Sequence, residues 1–175
     1  MVDTAFQVPP DKVYRLAVNY RRTLDKKLLI EDDTYDSIYL NPPSYCSGGG
    51  GLVSTISDYF RFCCMLLNGG ELDGVRILSP KTTTLMTRDH LVEIADRRGL
   101  GSYDFGLGFG VALNSGVSGS ILTEGAFGWG GLAHTGFWVD PQEELIGIFL
   151  IQILPASPLP YRDLFKPVVY QAVVN

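Results

Sequence analysis

Between Gly125 and Gln152 the chain reads Gly-Ala-Phe-Gly-Trp-Gly-Gly-Leu-Ala-His-Thr-Gly-Phe-Trp-Val-Asp-Pro-Gln-Glu-Glu-Leu-Ile-Gly-Ile-Phe-Leu-Ile-Gln, a pattern that predicts three adjacent strands of one antiparallel sheet. Its last piece, Leu145 to Ile151, is a nearly unbroken apolar run of strand length. It is too short to cross a bilayer and rich in Ile and Phe, as suits a central strand covered on both faces. Asp140-Pro141-Gln142-Glu143 supplies a turn, because proline cannot continue a ladder, so Phe137 to Val139 is expected to pair back as a hairpin. The preceding stretch, Ala126 to Gly131, mixes glycines with aromatics. Glycine weakens a strand and marks a place where something approaches the backbone closely, which here suggests a substrate edge.

A chain of 175 residues with 46% hydrophobic content can bury a real core, and a single domain over residues 1–175 is the default. The net charge of -5, from 14 Lys and Arg against 19 Asp and Glu, argues against a nucleic-acid partner. The pairs Arg21-Arg22 and Lys26-Lys27 suit a solvated face. Cys46, Cys63 and Cys64 are odd in number, lack Cys-x-x-Cys spacing, and look like reduced, buried small apolar residues rather than disulfide partners or metal ligands. No metal or cofactor is expected. Residues 1–30 show neither a signal peptide nor a membrane span; with reduced cysteines this leans towards the cytoplasm, although the compartment stays open.

Residues 1–47, bracketed by Pro9-Pro10 and Pro42-Pro43, are expected to form a loop-rich covering segment with a helix around Lys12 to Arg21. Ile56, Tyr59, Phe60, Cys63, Leu66 and Leu67 recur at helical spacing, with Thr55 and Asp58 as a capping-box-like start and Gly69-Gly70 as a stop. The glycine run before this helix lacks the Gly-Lys-Ser/Thr ending of a nucleotide-phosphate loop. A tight turn at Asp73-Gly74 precedes a second helix from Ser79-Pro80 to about Thr87. His90 beyond it suits a structural or solvated role. Phe105 to Leu113 reads as one strand whose glycines allow close packing, since Gly106-x-Gly108 makes a poor dinucleotide fingerprint. Asn114 to Ser120 is a turn-rich link. After Pro155, Pro158 and Pro160, a last helix is expected to bury Leu164, Phe165, Val168, Val169 and Ala172, with a kink at Pro167.

The strings Ser47-Gly-Gly-Gly-Gly-Leu-Val-Ser-Thr-x-x-Asp-Tyr-x-Arg-Phe62, Met65-Leu-Leu-Asn-Gly-Gly-Glu-Leu-Asp-Gly-Val-Arg-Ile-Leu-Ser-Pro-Lys-Thr82, Phe127-Gly-Trp-Gly-Gly131 and Phe137-Trp-Val-Asp-Pro141 closely resemble the C-terminal half of class C β-lactamase-like serine hydrolases, among them the family VIII esterases. The resemblance spans essentially residues 1–154. It implies an α+β fold, an antiparallel sheet flanked by helices, as in the C-terminal part of the β-lactamase and penicillin-binding-protein-like transpeptidase fold. It also implies acyl-enzyme chemistry on esters or amides. A Ser is activated by a Lys one helical turn later, a Tyr helps move protons, and backbone N–H groups hold the oxyanion.

Here the sequence departs from the family. No Ser in the chain has a Lys three residues on, so no catalytic nucleophile or base is assigned, and Tyr39-Leu40-Asn41 matches the Tyr-x-Asn box by coincidence of letters. Two stretches compete for the third box. Trp129-Gly130-Gly131 resembles the Trp-x-Gly variant of the esterases and is preferred; Gly131 or Leu132 would then offer the oxyanion N–H, and Trp129 would wall the acyl pocket. His134-Thr135-Gly136 imitates a His-Thr-Gly variant but falls in a turn. Gly49 and Gly50 would line an opposite wall. The expected protein is therefore the C-terminal portion of a longer hydrolase, silent alone and taking a small-molecule ester or amide once completed. The competing reading is a truncated homologue acting as a ligand-binding or regulatory module. Homodimerisation through an exposed sheet edge is expected in either case.

Overall fold

A computed structural model describes residues 1–91, 103–113, 121–154 and 161–174. These residues divide into two compact units. The first holds residues 1–59, 131–135 and 150–154, and the second holds the rest. The links expected at Asn114 to Ser120 and at Pro155 to Pro160 lie outside the described residues.

In the first unit a 3-10 helix covers Pro10–Arg15 and is followed by the strands β1 (Asn19–Arg22) and β2 (Leu28–Asp32). These pair antiparallel, and β10 (Ile153–Leu154) pairs parallel with β1 on its other side. The helix expected over Lys12 to Arg21 is therefore replaced by a short helical turn and a strand. None of the residues 10–15 is buried, so a longer helix would have no apolar stripe to cover. A strand from Asn19 finds ladder partners on both sides. The amino-terminal residues are tethered through Asp58, whose carboxylate accepts from the amides of Val2 (3.1 Å) and Asp3 (2.7 Å) and from the Thr4 hydroxyl (2.9 Å).

Helix α1 (Ile56–Leu67) opens with the Asp58 amide donating to Thr55 Oγ1 at 3.3 Å. It ends in a Schellman motif: Gly70 N–H donates to the Met65 carbonyl and Gly69 N–H to the Leu66 carbonyl, both glycines having positive φ. Its buried arc is Cys63, Met65 and Leu66, whereas Ile56 and Phe60, expected on that face, stay about half exposed. A hairpin of β3 (Glu71–Leu72) and β4 (Val75–Arg76) follows, turned by Asp73 and Gly74 at φ 53 and 75. Helix α2 (Pro80–Met86) has Ser79 as its cap.

The main sheet of the second unit is wholly antiparallel, in the order β5 (Tyr103–Phe105), β6 (Gly110–Ala112), β7 (Phe127–Gly130), β8 (Gly136–Asp140), β9 (Leu145–Phe149). The single strand expected over Phe105 to Leu113 is instead two strands and a turn, closed by Gly106 N–H donating to the Phe109 carbonyl at 2.8 Å. A Cβ at Gly106 would overlap the Met86 carbonyl, so close packing accounts for that glycine. The three strands of the Gly125–Gln152 stretch pair as expected, but their burial is inverted. All five residues of β8 are buried, while β9 lies at the sheet's edge among the described residues and buries only Gly147. Gly147 and Gly128 flank Trp138 from the neighbouring strands, where a Cβ on either would overlap it or the adjoining Phe137 carbonyl. Gly128 is thus explained by packing rather than by a substrate.

One face of this sheet carries Phe109, Phe127 and Phe137, with Phe62 of α1 edge-on to Phe137 at 6.5 Å. The other face carries Trp138, covered by Phe165 and Tyr170 of α3 (Tyr161–Tyr170) at 6.0 and 6.5 Å. Helix α3 contains Pro167 and turns Phe165, Val169 and Tyr170 inward. Leu164 and Val168, expected on that face, are 62% and 61% exposed, because the buried arc follows Trp138 rather than the most hydrophobic arc of the helix.

Candidate functional site

Strand β7 places Phe127 and Trp129 on the same face by alternation. Phe127 is buried, whereas Trp129, two residues nearer the strand's end, is 50% exposed. Its ring stands perpendicular to Phe105 at 4.8 Å and lies against Gly110, where a Cβ would come within 3.2 Å of the indole. The indole is therefore held by two neighbours while half of it stays open to solvent. Gly130 pairs with Gly136 at the end of the β7–β8 ladder.

The chain then enters the 131–135 turn. Gly131 N–H donates to the Thr135 carbonyl at 2.9 Å, and His134 N–H to the Gly131 carbonyl at 3.2 Å. The Gly131 amide is thus engaged in the turn. Leu132 is 73% exposed, and among the described residues no backbone acceptor takes its N–H. A Cβ at Gly131 would overlap Thr135 Oγ1, so a side chain there would require the Thr135 hydroxyl to move. His134 is buried in a left-handed conformation at φ 68, and Gly136 begins β8 beneath the Arg162 side chain.

Trp129 and Gly130 share one strand, and Gly131, Leu132, His134 and Thr135 share one turn. Gly49 and Gly50 belong to a separate loop of the first unit, where a Cβ on either would meet nothing within 4 Å. The Gly50 carbonyl accepts from Tyr39 Oη at 3.4 Å. His90 Nε2 contacts the Leu85 carbonyl at 2.7 Å. With a carbonyl as partner that nitrogen must donate, which makes His90 a loop tether.

Nucleophilic thiols are not offered by the helix. Burial, with Cys64 beside it, pushes the Cys63 thiol up to about 12, and burial raises Cys64 as well, so neither supplies thiolate near neutrality. Among the described residues no group of three His, Cys, Asp or Glu side chains could hold a metal ion, and no helix is long and apolar enough to cross a membrane. The sequence marks Asp58 as part of a helix start and Asp140 as part of a turn, but not the long-range role of either carboxylate. Their partners, the amides of Val2 and Asp3 and the Tyr170 hydroxyl, lie far away along the chain.

A family model described as Beta-lactamase matches residues 1–166. The chain belongs to the beta-lactamase family. Its fold is accordingly the α+β arrangement of the β-lactamase and penicillin-binding-protein-like hydrolases. Protein Rv1367c of Mycobacterium tuberculosis is 38% identical over 168 residues, covering 89% of this chain and 40% of that protein. The esterase/beta-lactamase LipL of the same organism is 32% identical over 112 residues, 63% of this chain and 24% of LipL. Among solved structures, a mutant of simvastatin synthase (LovD) from Aspergillus terreus superposes with TM-score 0.73 at 25% identity, covering 94% of this chain and 44% of that one. EstCE1, a hydrolase with promiscuous acyltransferase activity, superposes with TM-score 0.78 at 23% identity, covering 95% and 46%; at that identity the likeness shows the fold. The beta-lactamase-family chain spans about 40% of the length of the first curated relatives it matches.

Proposed function

We propose that this chain carries the substrate-facing wall of a serine hydrolase that acts on esters or amides through an acyl-enzyme. In this reading residues 1–175 are one partial domain, the C-terminal portion, and the Ser and its Lys base belong to polypeptide outside them. The observation that carries the reading is the half-exposed Trp129 at the end of β7, followed three residues later by the exposed Leu132, whose N–H is not used by the turn. A tetrahedral oxyanion requires a backbone donor and an acyl group requires an apolar wall, and in this reading Leu132 supplies the first and Trp129 the second. Because the Gly131 amide is engaged by the Thr135 carbonyl, this reading gives the donor role to Leu132. The buried, left-handed His134 and the covered Gly136 favour Trp129-Gly130-Gly131 over His134-Thr135-Gly136 as the third box.

With no Ser-x-x-Lys in the sequence, the isolated chain is expected to be silent towards a chromogenic ester and a cephalosporin. Turnover abolished by a serine-directed acylating reagent would contradict this. Mixing with a polypeptide that carries the Ser-x-x-Lys portion of a related protein is expected to restore hydrolysis. The edge of β9, unpaired among the described residues, and the exposed Tyr161, Leu164 and Val168 of α3 are the surfaces such a portion would cover. The missing Ser-x-x-Lys also favours a second reading, a non-catalytic module that binds a ligand. Continued silence on mixing, together with tight ligand binding by the chain alone, would decide for it.

A further inference from the structure

The three-stranded sheet of the first unit runs β10-β1-β2, which leaves β2 with one free edge among the described residues. Three consecutive apolar side chains on that edge strand are open to solvent: Leu28 is 51%, Leu29 45% and Ile30 58% exposed. Alternating backbone directions fix which groups point outward. Thr23 N–H bonds the Lys27 carbonyl at 2.9 Å, so the next bonded pair along the hairpin is Arg21 with Leu29. Tyr20 N–H points the other way, donating to the Gln152 carbonyl at 3.0 Å, so its partner Ile30 makes no ladder bonds to β1. The N–H and C=O groups of Leu28 and Ile30 therefore face the open edge.

The charges flanking these three residues are arranged as a palindrome, with Lys27 before them and Glu31 after them. We propose that β2 pairs antiparallel with β2 of a second copy of this chain, about a two-fold axis at Leu29. In that register Leu28 bonds Ile30 of the other copy, Leu29 meets Leu29, and Lys27 meets Glu31 twice. Both strands then offer outward-facing backbone groups at the positions that must exchange hydrogen bonds. A two-fold at Leu28 would set Lys27 against Leu29, and one at Ile30 would set Leu28 against Asp32, so the Leu29 register is the one that matches charge and apolar surface together. Lys27 is held at 2.9 Å by Asp25 and Glu31 at 2.7 Å by Arg21, all on the exposed hairpin, so each approaching charge meets a partner already ordered. The bulge at Glu31, where Asn19 pairs with Asp32 and Tyr20 with Ile30, ends the regular ladder and limits the contact to this short segment. The dimer is accordingly weak and salt-sensitive.

The test reads association, independently of hydrolysis. By sedimentation velocity the 175-residue chain is expected to dimerise reversibly, and Lys27→Glu or Glu31→Lys alone should each weaken the dimer ~tenfold or more by opposing like charges twice. Mixing the two variants should restore a heterodimer, because each Glu then faces a Lys. In a Cys46→Ser background, Leu29→Cys should form an inter-chain disulfide under mild oxidation while Leu28→Cys, facing Ile30, should not; a directly opposed non-bonded pair has the Cα spacing a disulfide needs. A chain that stays monomeric at every concentration overturns the proposal. So does a dimer indifferent to both charge changes, or equal cross-linking at positions 28 and 29.

Discussion

The Tyr170 hydroxyl donates a 2.6 Å hydrogen bond to Asp140 Oδ2, joining the end of α3 to the end of the fully buried strand β8. Asp140 is wholly buried, and its other oxygen accepts from the amides of Gln142 (3.1 Å) and Glu143 (3.3 Å), which shapes the β8–β9 turn. One carboxylate thus fixes both the hairpin and the helix that covers Trp138.

Replacing Tyr170 with Phe deprives a buried carboxylate of a partner and should cost ~1–3 kcal/mol of stability, measured by urea unfolding. The pH dependence has a definite sign. Burial, reinforced by the Asp140 carboxylate, raises the Tyr170 pKa above its ordinary value of 10.0. The folded state therefore holds this proton after the unfolded state has lost it. Stability from this group is full below pH 10 and falls as pH rises further. Tyr170→Phe should flatten that alkaline slope, and an unchanged slope would show that another group sets it.

Asp58 gives the opposite dependence. Its desolvation acts to raise the pKa, but the Asp3 amide, the Thr4 hydroxyl and the Val2 amide outweigh it and hold the carboxylate below 3.8. The stabilisation is present above the unfolded value and disappears as pH falls through the folded one. Asp58→Asn should therefore loosen residues 2–5 at neutral pH, seen as faster amide exchange at Asp3 and Ala5. It should also reduce the acid sensitivity of unfolding.

Much of the helical structure is written locally, and little of the sheet's burial is. Thr55 and Asp58 start α1, Gly69 and Gly70 stop it, and Ser79-Pro80 starts α2, because caps act over three or four residues. The β1–β2 hairpin was hidden because Lys26, not Gly or Asn, takes the left-handed position of its turn at φ 67, and because Leu28-Leu29-Ile30 does not alternate. The burial of β8 over β9 depends on Trp138 lying between Gly128 and Gly147, an arrangement of three strands that periodicity within one cannot report. The proposal of Trp129-Gly130-Gly131 as the third box rests on family resemblance, whereas the proposed preference for the Leu132 amide over that of Gly131 rests on the hydrogen bonds of the turn.

The same three-strand arrangement predicts the cost of a single methyl group. Gly147→Ala would drive a Cβ into the Trp138 ring, which Phe165 and Tyr170 already enclose. Overpacking of that kind should cost ~1–3 kcal/mol, whereas alanine at Gly74, where a Cβ meets nothing but φ is 75, should cost only its backbone strain, ~1 kcal/mol. Thermal unfolding of the two variants should rank them in that order.

The two tryptophans differ enough in burial to be separated in solution. Trp129 is 50% exposed and Trp138 only 2%, so acrylamide should quench one emitting population and spare the other. Trp129→Phe should remove the quenchable component with little loss of stability. Phe127→Ala, two residues earlier on the same face but buried, should cost ~3–5 kcal/mol. Quenching that survives Trp129→Phe would mean that the candidate wall is not open to solvent.

The Leu132 amide offers the most direct test of the proposed acyl site. Because Leu132 is exposed and its N–H has no backbone acceptor among the described residues, proline at this position removes a donor without breaking a turn bond. Its preceding residue, Gly131, tolerates the conformational restriction that proline imposes. In the reconstituted hydrolase Leu132→Pro should lower kcat by ~100- to 1,000-fold with little change in KM, the expected effect of losing one oxyanion donor. Leu132→Ala keeps the N–H and should retain kcat, while the isolated Leu132→Pro chain should melt within a few degrees of the parent. If alanine and proline reduce kcat equally, the side chain rather than the amide matters, and the oxyanion assignment fails.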